Sequence, residues 1–140
     1  MPPASAAPPP LVMQLVVGAA LAAPPSAGGW PRGPLMAQTA HAACAVVAAT
    51  ADAPNTRAYV APAQLPHMRK LVLVAPPALP LRELAARLDE ARARLGADEV
   101  PPHYLWIEQP EDIPTVLAIA PNHKPAPLKK LLRECALLRD

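Results

Sequence analysis

The sequence predicts an α/β fold: a four-stranded mixed sheet, its last strand antiparallel, covered by helices on both faces to give three layers. Three observations predict it. The runs LVMQLVV (11–17) and KLVLV (70–74) are aliphatic without polar alternation, as strands covered on both faces are. Helical stretches of 10 to 20 residues follow each of them, at 34–50 and 81–96. Finally, HYLWIE (103–108) and TVLAIAP (115–121) are joined by six residues, QPEDIP, too few for a parallel crossover, so these two strands are antiparallel neighbours.

Taken in order, residues 1–10 read as a flexible tail and 11–140 as one domain, since 140 residues suffice for a single core. The run 11–23, LVMQLVVGAALAA, has the apolar look of an export signal, but no Lys or Arg precedes it. It is also too short to span a bilayer as a helix. A buried first strand accounts for it, and the expected location is cytoplasmic, with a mitochondrial or plastid alternative. A Gly/Pro/Ser loop runs through Trp30 and Pro31 into the first long helix. Gly33 suits its N-cap and Pro34 its first position, where a missing N–H is harmless. The helix is expected to reach Thr50 or Ala51, with Leu35, Met36, Ala43, Val46 and Val47 as its apolar stripe. Gln38 and His41 project together, one turn apart.

A short helical turn is expected near Arg57–Ala61, before the KLVLV strand. LRELAARLDEARARLG (81–96) is the clearest helix, with Leu81, Leu84, Ala85, Leu88, Ala91 and Leu95 on one face and Gly96 at its C-terminus. PLKKLLREC (127–135) reads as a closing amphipathic helix. Trp106 reads as core, Trp30 as a cover over the helix start, and Cys44 as a small buried residue.

Composition narrows the function classes. The apolar share is 52%, but alanine fills 31 positions and phenylalanine none, so Leu, Val, Ile, Met and Trp must build the core. The 22 prolines are roughly three times the usual share of about 5% and punctuate elements instead of forming one block. A net charge of +2 does not by itself mark a nucleic-acid binder. Basic residues do gather at Arg57, Arg69 and Lys70 and again after Lys124. Cys44 and Cys135 make neither a disulfide framework nor a zinc spacing, so a reducing compartment is the default. No nucleophile elbow, phosphate-binding glycine loop, dinucleotide fingerprint, HExxH or CxxC is present.

What remains is positional. Sites in open α/β sheets lie beyond the carboxyl ends of the strands. That edge gathers the Trp30–Pro34 loop, the amides of the first helix and the start of QPEDIP, with Glu108, Glu111 and Asp112 as carboxylates. Gln38 could hydrogen-bond a carbonyl there, and His41 could orient it or shuttle a proton.

These residues carry a resemblance. GPLMAQTAHAA (33–43), RKLVLV (69–74), LRELAARL (81–88) and TVLAIAP (115–121) resemble the helix, strands and LxEL segment of the second, archaeal-and-eukaryotic type of peptidyl-tRNA hydrolase. WPRGPLMAQTAHAA (30–43), MRKLVLVAP (68–76) and LWIEQPEDI (105–113) are more similar still to its divergent domain-containing branch. Together the segments cover most of residues 12–121 and are specific as a set. The resemblance implies hydrolysis of the ester between a peptide and the 3′ end of tRNA, with no metal and no cofactor. Its functional residues are a first-helix lysine, the glutamine of AAQ, and an Asp–Thr pair after the third strand. Gln38 matches that glutamine and His41 the motif histidine. Pro34 stands where the lysine would be, Glu108 lies nearest the aspartate, and Thr115 matches the threonine of the last strand.

On this reading Gln38 holds the scissile carbonyl or the attacking water, Glu108 or Asp112 is the general base, and His41 assists. Arg32, Gly33, Arg69, Lys70 and Thr115 bind substrate, the basic residues through tRNA phosphates. The partner implied is peptidyl-tRNA. The ribosome is left open as a second partner, and no membrane is involved. The rival reading, favoured by Pro34, is a catalytically inactive module of the same fold that binds tRNA or protein.

Overall fold

A computed structural model describes residues 9–139. Residues 1–8 of the expected tail lie outside the described residues. The sheet is built around β1 (Met13–Val17), every residue of which is buried. The run expected to be a strand is therefore the centre of the molecule. On one side β2 (Lys70–Val74) runs parallel to it, Met13 opposite Lys70 and Val17 opposite Val74. On the other side β4 (Ile113–Ile119) runs antiparallel, Leu15 opposite Ala118. β3 (His103–Glu108) pairs antiparallel with the outer side of β4, as the short QPEDIP connection requires.

The sheet has five strands, not four, in the order β3-β4-β1-β2-β5. The extra strand, β5 (Ala136–Leu137), pairs antiparallel with β2. It lies just beyond 127–135, the segment expected to form a closing helix. That helix, α5 (Ala126–Leu131), is shorter than expected, and the chain after Leu132 turns back to meet the edge of β2. A free strand edge offers unpaired backbone donors and acceptors, which outweigh the weak helical preference of so short a segment.

Among the described residues, five α-helices surround the sheet. A short α1 (Ala19–Ala22) and a single turn at Pro25–Ala27 occupy the loop after β1. α2 (Arg32–Ala49) follows, then α3 (Pro54–Tyr59), and α4 (Leu81–Leu95) ends on Gly96, whose φ of 92° only glycine takes readily. α2 begins with Pro31 as its N-cap, two residues before the expected Gly33. Pro34 then lies within the first turn, where backbone N–H groups have no intrahelical partner, so its ring costs no hydrogen bond. No helix among the described residues is long and apolar enough to cross a membrane.

The alternation along each strand divides the core into two layers. Met13, Leu15 and Val17 of β1 pack with Val116 and Ala118 of β4 against Ala42 and Val46 of α2 and Tyr59 of α3. Val16, Leu117 and Ile119 face the other way, onto Leu84 and Leu88 of α4 and Leu128 of α5. The period of two along a strand makes this division unavoidable once both faces are covered.

One polar pair is enclosed at the start of β1. Gln14 Nε2 donates to Asn122 Oδ1 at 3.2 Å, while Asn122 Nδ2 donates to Gln14 Oε1 at 2.7 Å and to the Ala120 carbonyl at 2.8 Å. The pair links β1 to the chain leaving β4. Asn122→Leu is expected to lower unfolding free energy by about 1–3 kcal/mol in denaturant titrations, because it strands the Gln14 amide. Gln14→Leu combined with Asn122→Leu should recover part of the loss, as apolar replacement of both partners does.

Candidate active site

The carboxyl end of β1 brings together the start of β4, the end of β3 and the first turns of α2. Gly18, just past β1, donates its backbone N–H to the Thr115 carbonyl at 3.0 Å. This closes the sheet beneath the site. Thr115 itself is fully buried.

Gln38 is the hinge of the arrangement. It lies on the inward face of α2 with Ala42 and Val46, and is 2% exposed. Its Oε1 accepts a 2.8 Å hydrogen bond from the Thr115 hydroxyl. Its Nε2 donates a 2.7 Å bond to Glu108 Oε2. The donor–acceptor chain therefore runs Thr115 to Gln38 to Glu108, and it fixes which way the glutamine amide faces. Trp106 Nε1 donates to the other carboxylate oxygen, Glu108 Oε1, at 3.3 Å. The Trp106 ring stacks on His41, centroids 4.8 Å apart and planes 21° from parallel. His41 is exposed, so the imidazole forms the solvent wall of the site.

The network sets the charge on Glu108. The Gln38 hydrogen bond holds its carboxyl below the usual range for glutamate. Partial burial opposes this, and the Trp106 N–H, the Gln109 backbone and the nearby His41 reinforce it. A glutamate so held is ionised at neutral pH. Gln38, Trp106 and the Gln109 backbone use three of the roughly four acceptor sites of the carboxylate, which leaves capacity for one water. The arrangement can therefore hold a water and take a proton from it, whereas the buried amide of Gln38 serves mainly to fix the carboxylate.

The structure thus brings Gln38, His41, Glu108 and Thr115 together. Asp112, the other carboxylate considered as base, takes no part: it is exposed in the β3–β4 turn, at a left-handed φ of 57°, and accepts only a long bond from Gln109. Arg32 and Gly33 lie exposed in the first turn of α2, at the same end of the sheet as Glu108. Arg69 and Lys70 lie at the opposite end, where the Arg69 carbonyl accepts from the Tyr59 hydroxyl at 2.7 Å and Lys70 Nζ donates to that hydroxyl at 3.3 Å. Two further expectations are corrected. Trp106 is a half-buried member of the site and not simply core, and Cys44 is exposed because it lies on the outer side of α2. The signal for Trp106 was available: residues two apart on a strand share a face, and Trp106 stands two before Glu108.

Residues 11–137 match the family described as Peptidyl-tRNA hydrolase PTH2. The chain belongs to the PTH2 family. Two relatives bear the name "Putative peptidyl-tRNA hydrolase PTRHD1". The one from Homo sapiens is 42% identical over 95 residues, 68% of this chain and 61% of the relative. The one from Mus musculus is 41% identical over 95 residues with the same two shares. The matched segment spans less than two thirds of each relative's length. Of the residues singled out by the sequence resemblance, Gln38 and His41 both meet in the site. Pro34, which the resemblance sets where a lysine would be, is exposed and lies one turn before Gln38 on α2.

Gln38→Leu removes the largest cause of the low Glu108 pKa. Carboxyl-carbon NMR titration should place Glu108 below its ordinary 4.5 in the native chain and higher in the variant. A depressed carboxyl contributes stability above its unfolded pKa and loses it as pH falls through the folded value. The loss of stability on acidification that is linked to Glu108, which runs from its unfolded pKa down to its folded one, should therefore shrink in Gln38→Leu.

Proposed function

We propose that residues 11–140 act as one domain that hydrolyses the ester between a peptide and the 3′ oxygen of tRNA without a metal, with Glu108 as general base. The observation that carries this reading is the Thr115–Gln38–Glu108 chain, which orients an ionised carboxylate at the mouth of the site. Glu108 takes a proton from water as the hydroxyl adds to the ester carbonyl. The carbon–oxygen bond to the ribose then breaks, and the proton passes from Glu108 to the departing 3′ oxygen. Gln38 and Thr115 are positioning residues for this base. His41, stacked on Trp106, lies where it can orient the carbonyl or relay a proton.

The amides of Arg32 and Gly33 belong to the first turn of α2 and have no intrahelical partner, which suits them to an anionic oxygen, and the Arg32 side chain is suited to the nearest tRNA phosphate. Arg69 and Lys70, at the far end of the sheet, are suited to phosphates further along the tRNA. The reading places the chain where translation occurs, in the cytoplasm or in a mitochondrion or plastid. The inactive binding module is the second reading, and Pro34 favours it, because an oxyanion loses a cation that would otherwise lie nearby.

The test is release of peptide from purified peptidyl-tRNA, with Mg²⁺ and with chelator. Gln38→Ala should lower the rate by on the order of a hundredfold. It should also destabilise the fold by about 1–3 kcal/mol, since it strands the Thr115 hydroxyl and removes a bond to a charged group. The conservative Glu108→Gln should abolish hydrolysis with tRNA binding retained. Pro34→Lys should raise the rate, since lysine is compatible with a helix and Pro31 still caps it. Absence of hydrolysis in both the native chain and Pro34→Lys, with tRNA binding intact, would decide for the binding module. Replacing both Arg69 and Lys70 by alanine should flatten the log–log salt dependence of tRNA binding by roughly one to two units.

A further inference from the structure

The two edges of the sheet are treated differently. The edge of β2 is covered by β5, and Leu138 donates its N–H to the Val72 carbonyl at 2.9 Å. β3 is the other terminal strand and pairs only with β4. Among the described residues, no backbone hydrogen bond joins 103–108 to anything but β4. Exposed edges are usually blunted by lysine, proline or a very short strand. β3 is six residues long, HYLWIE, with no lysine, proline or glycine within it. Its only acidic residue is Glu108, at the end where the site lies. A six-residue edge without lysine or proline, interrupted only by the register shift between Trp106 and Ile107, leads to the carboxylate of Glu108, and this is the observation to be explained.

We propose that the free edge of β3 binds the peptide part of peptidyl-tRNA as an added strand, an inference that rests on the hydrolase reading. A substrate that carries peptides of every sequence offers only its main chain as a constant feature besides the ester. Strand addition recognises that main chain and leaves side chains to project alternately above and below the sheet. The ester carbonyl lies at Glu108, so the peptide runs back toward His103, parallel to β3. On the α2 side its side chains lie beside Tyr104, which is 39% exposed and whose ring is 6.4 Å from that of Trp106. An aromatic ridge accepts side chains of many kinds without selecting one.

The test uses a short RNA hairpin whose 3′ end carries a hexapeptide through a non-hydrolysable amide, with binding read by fluorescence anisotropy. Single N-methylation is walked along the peptide. Amides that donate to β3 should each lose about fivefold to tenfold in affinity when methylated, and their neighbours less than about twofold. The expected result is thus an effect that alternates with a period of two. Cutting the peptide to one residue should weaken binding more than any single methylation. A uniform response, no dependence on peptide length or no binding overturns the proposal. So does sedimentation showing that a second copy occupies the edge, as a dimer that Leu105→Pro abolishes and the hexapeptide conjugate does not displace. The matched ester substrate separates the two readings. Alternating binding without hydrolysis overturns the hydrolase reading alone, and hydrolysis with a uniform binding response overturns the added strand alone.

Discussion

A primary amide removed from water must find protein partners or carry the full cost of its lost hydration. Gln38 is in that position beneath α2, and its two partners come from different strands: Thr115 from β4 and Glu108 from β3. Both bonds form only for one rotation and one height of the helix above the hairpin. The apolar contacts of α2 are less exact guides by comparison: beyond Gln38 its fully buried residues are Ala42 and Val46, with Leu35, Ala43 and Val47 half-buried beside them. The amide therefore positions the helix, and by the same bonds it orients the carboxylate. Fold specification and site geometry depend on one group.

The chain's polarity follows from the order of its strands. β1 ends beside Thr115, and the loop that follows it must lead into α2, so the helix start and the carboxyl end of the sheet coincide. The other end of the sheet receives the Gln14–Asn122 amide pair and the Tyr59–Lys70 contact. One end is thus shaped by a charged group in a hydrogen-bonded cradle, and the other by neutral amides and cations. A ligand long enough to span the sheet could engage both ends at once, which a small substrate could not.

Much of this was legible in the sequence. β1, β2, β3 and α4 are readable because burial on both faces or on one stripe leaves a strong aliphatic pattern. The site was legible in its members, since Gln38, His41, Glu108 and Thr115 all stand within recognisable segments. What was hidden has physical causes. α2 is so rich in alanine that periodicity cannot tell its buried face, and Met36, read as part of the apolar stripe, is 64% exposed. Its inward face carries Gln38 instead, because a satisfied amide is as much at home there as a hydrocarbon. β5 was hidden because two residues carry no period, and only the vacant edge of β2 makes them a strand. The role of Trp106 was obscured by its size, which suggests core until its indole N–H is given a partner.

The central strand has a further consequence for synthesis. Leu15 is paired on one side with Val72 and on the other with Ala118. A chain made from its N-terminus presents β1 before either partner, offers it β2 next, and completes the second ladder only when β4 has been added. Contacts so distant along the chain form slowly, and until they form an aliphatic strand keeps an open edge. Met13, Leu15, Val16 and Val17, all sealed in the finished molecule, stay open to other chains until that second ladder forms.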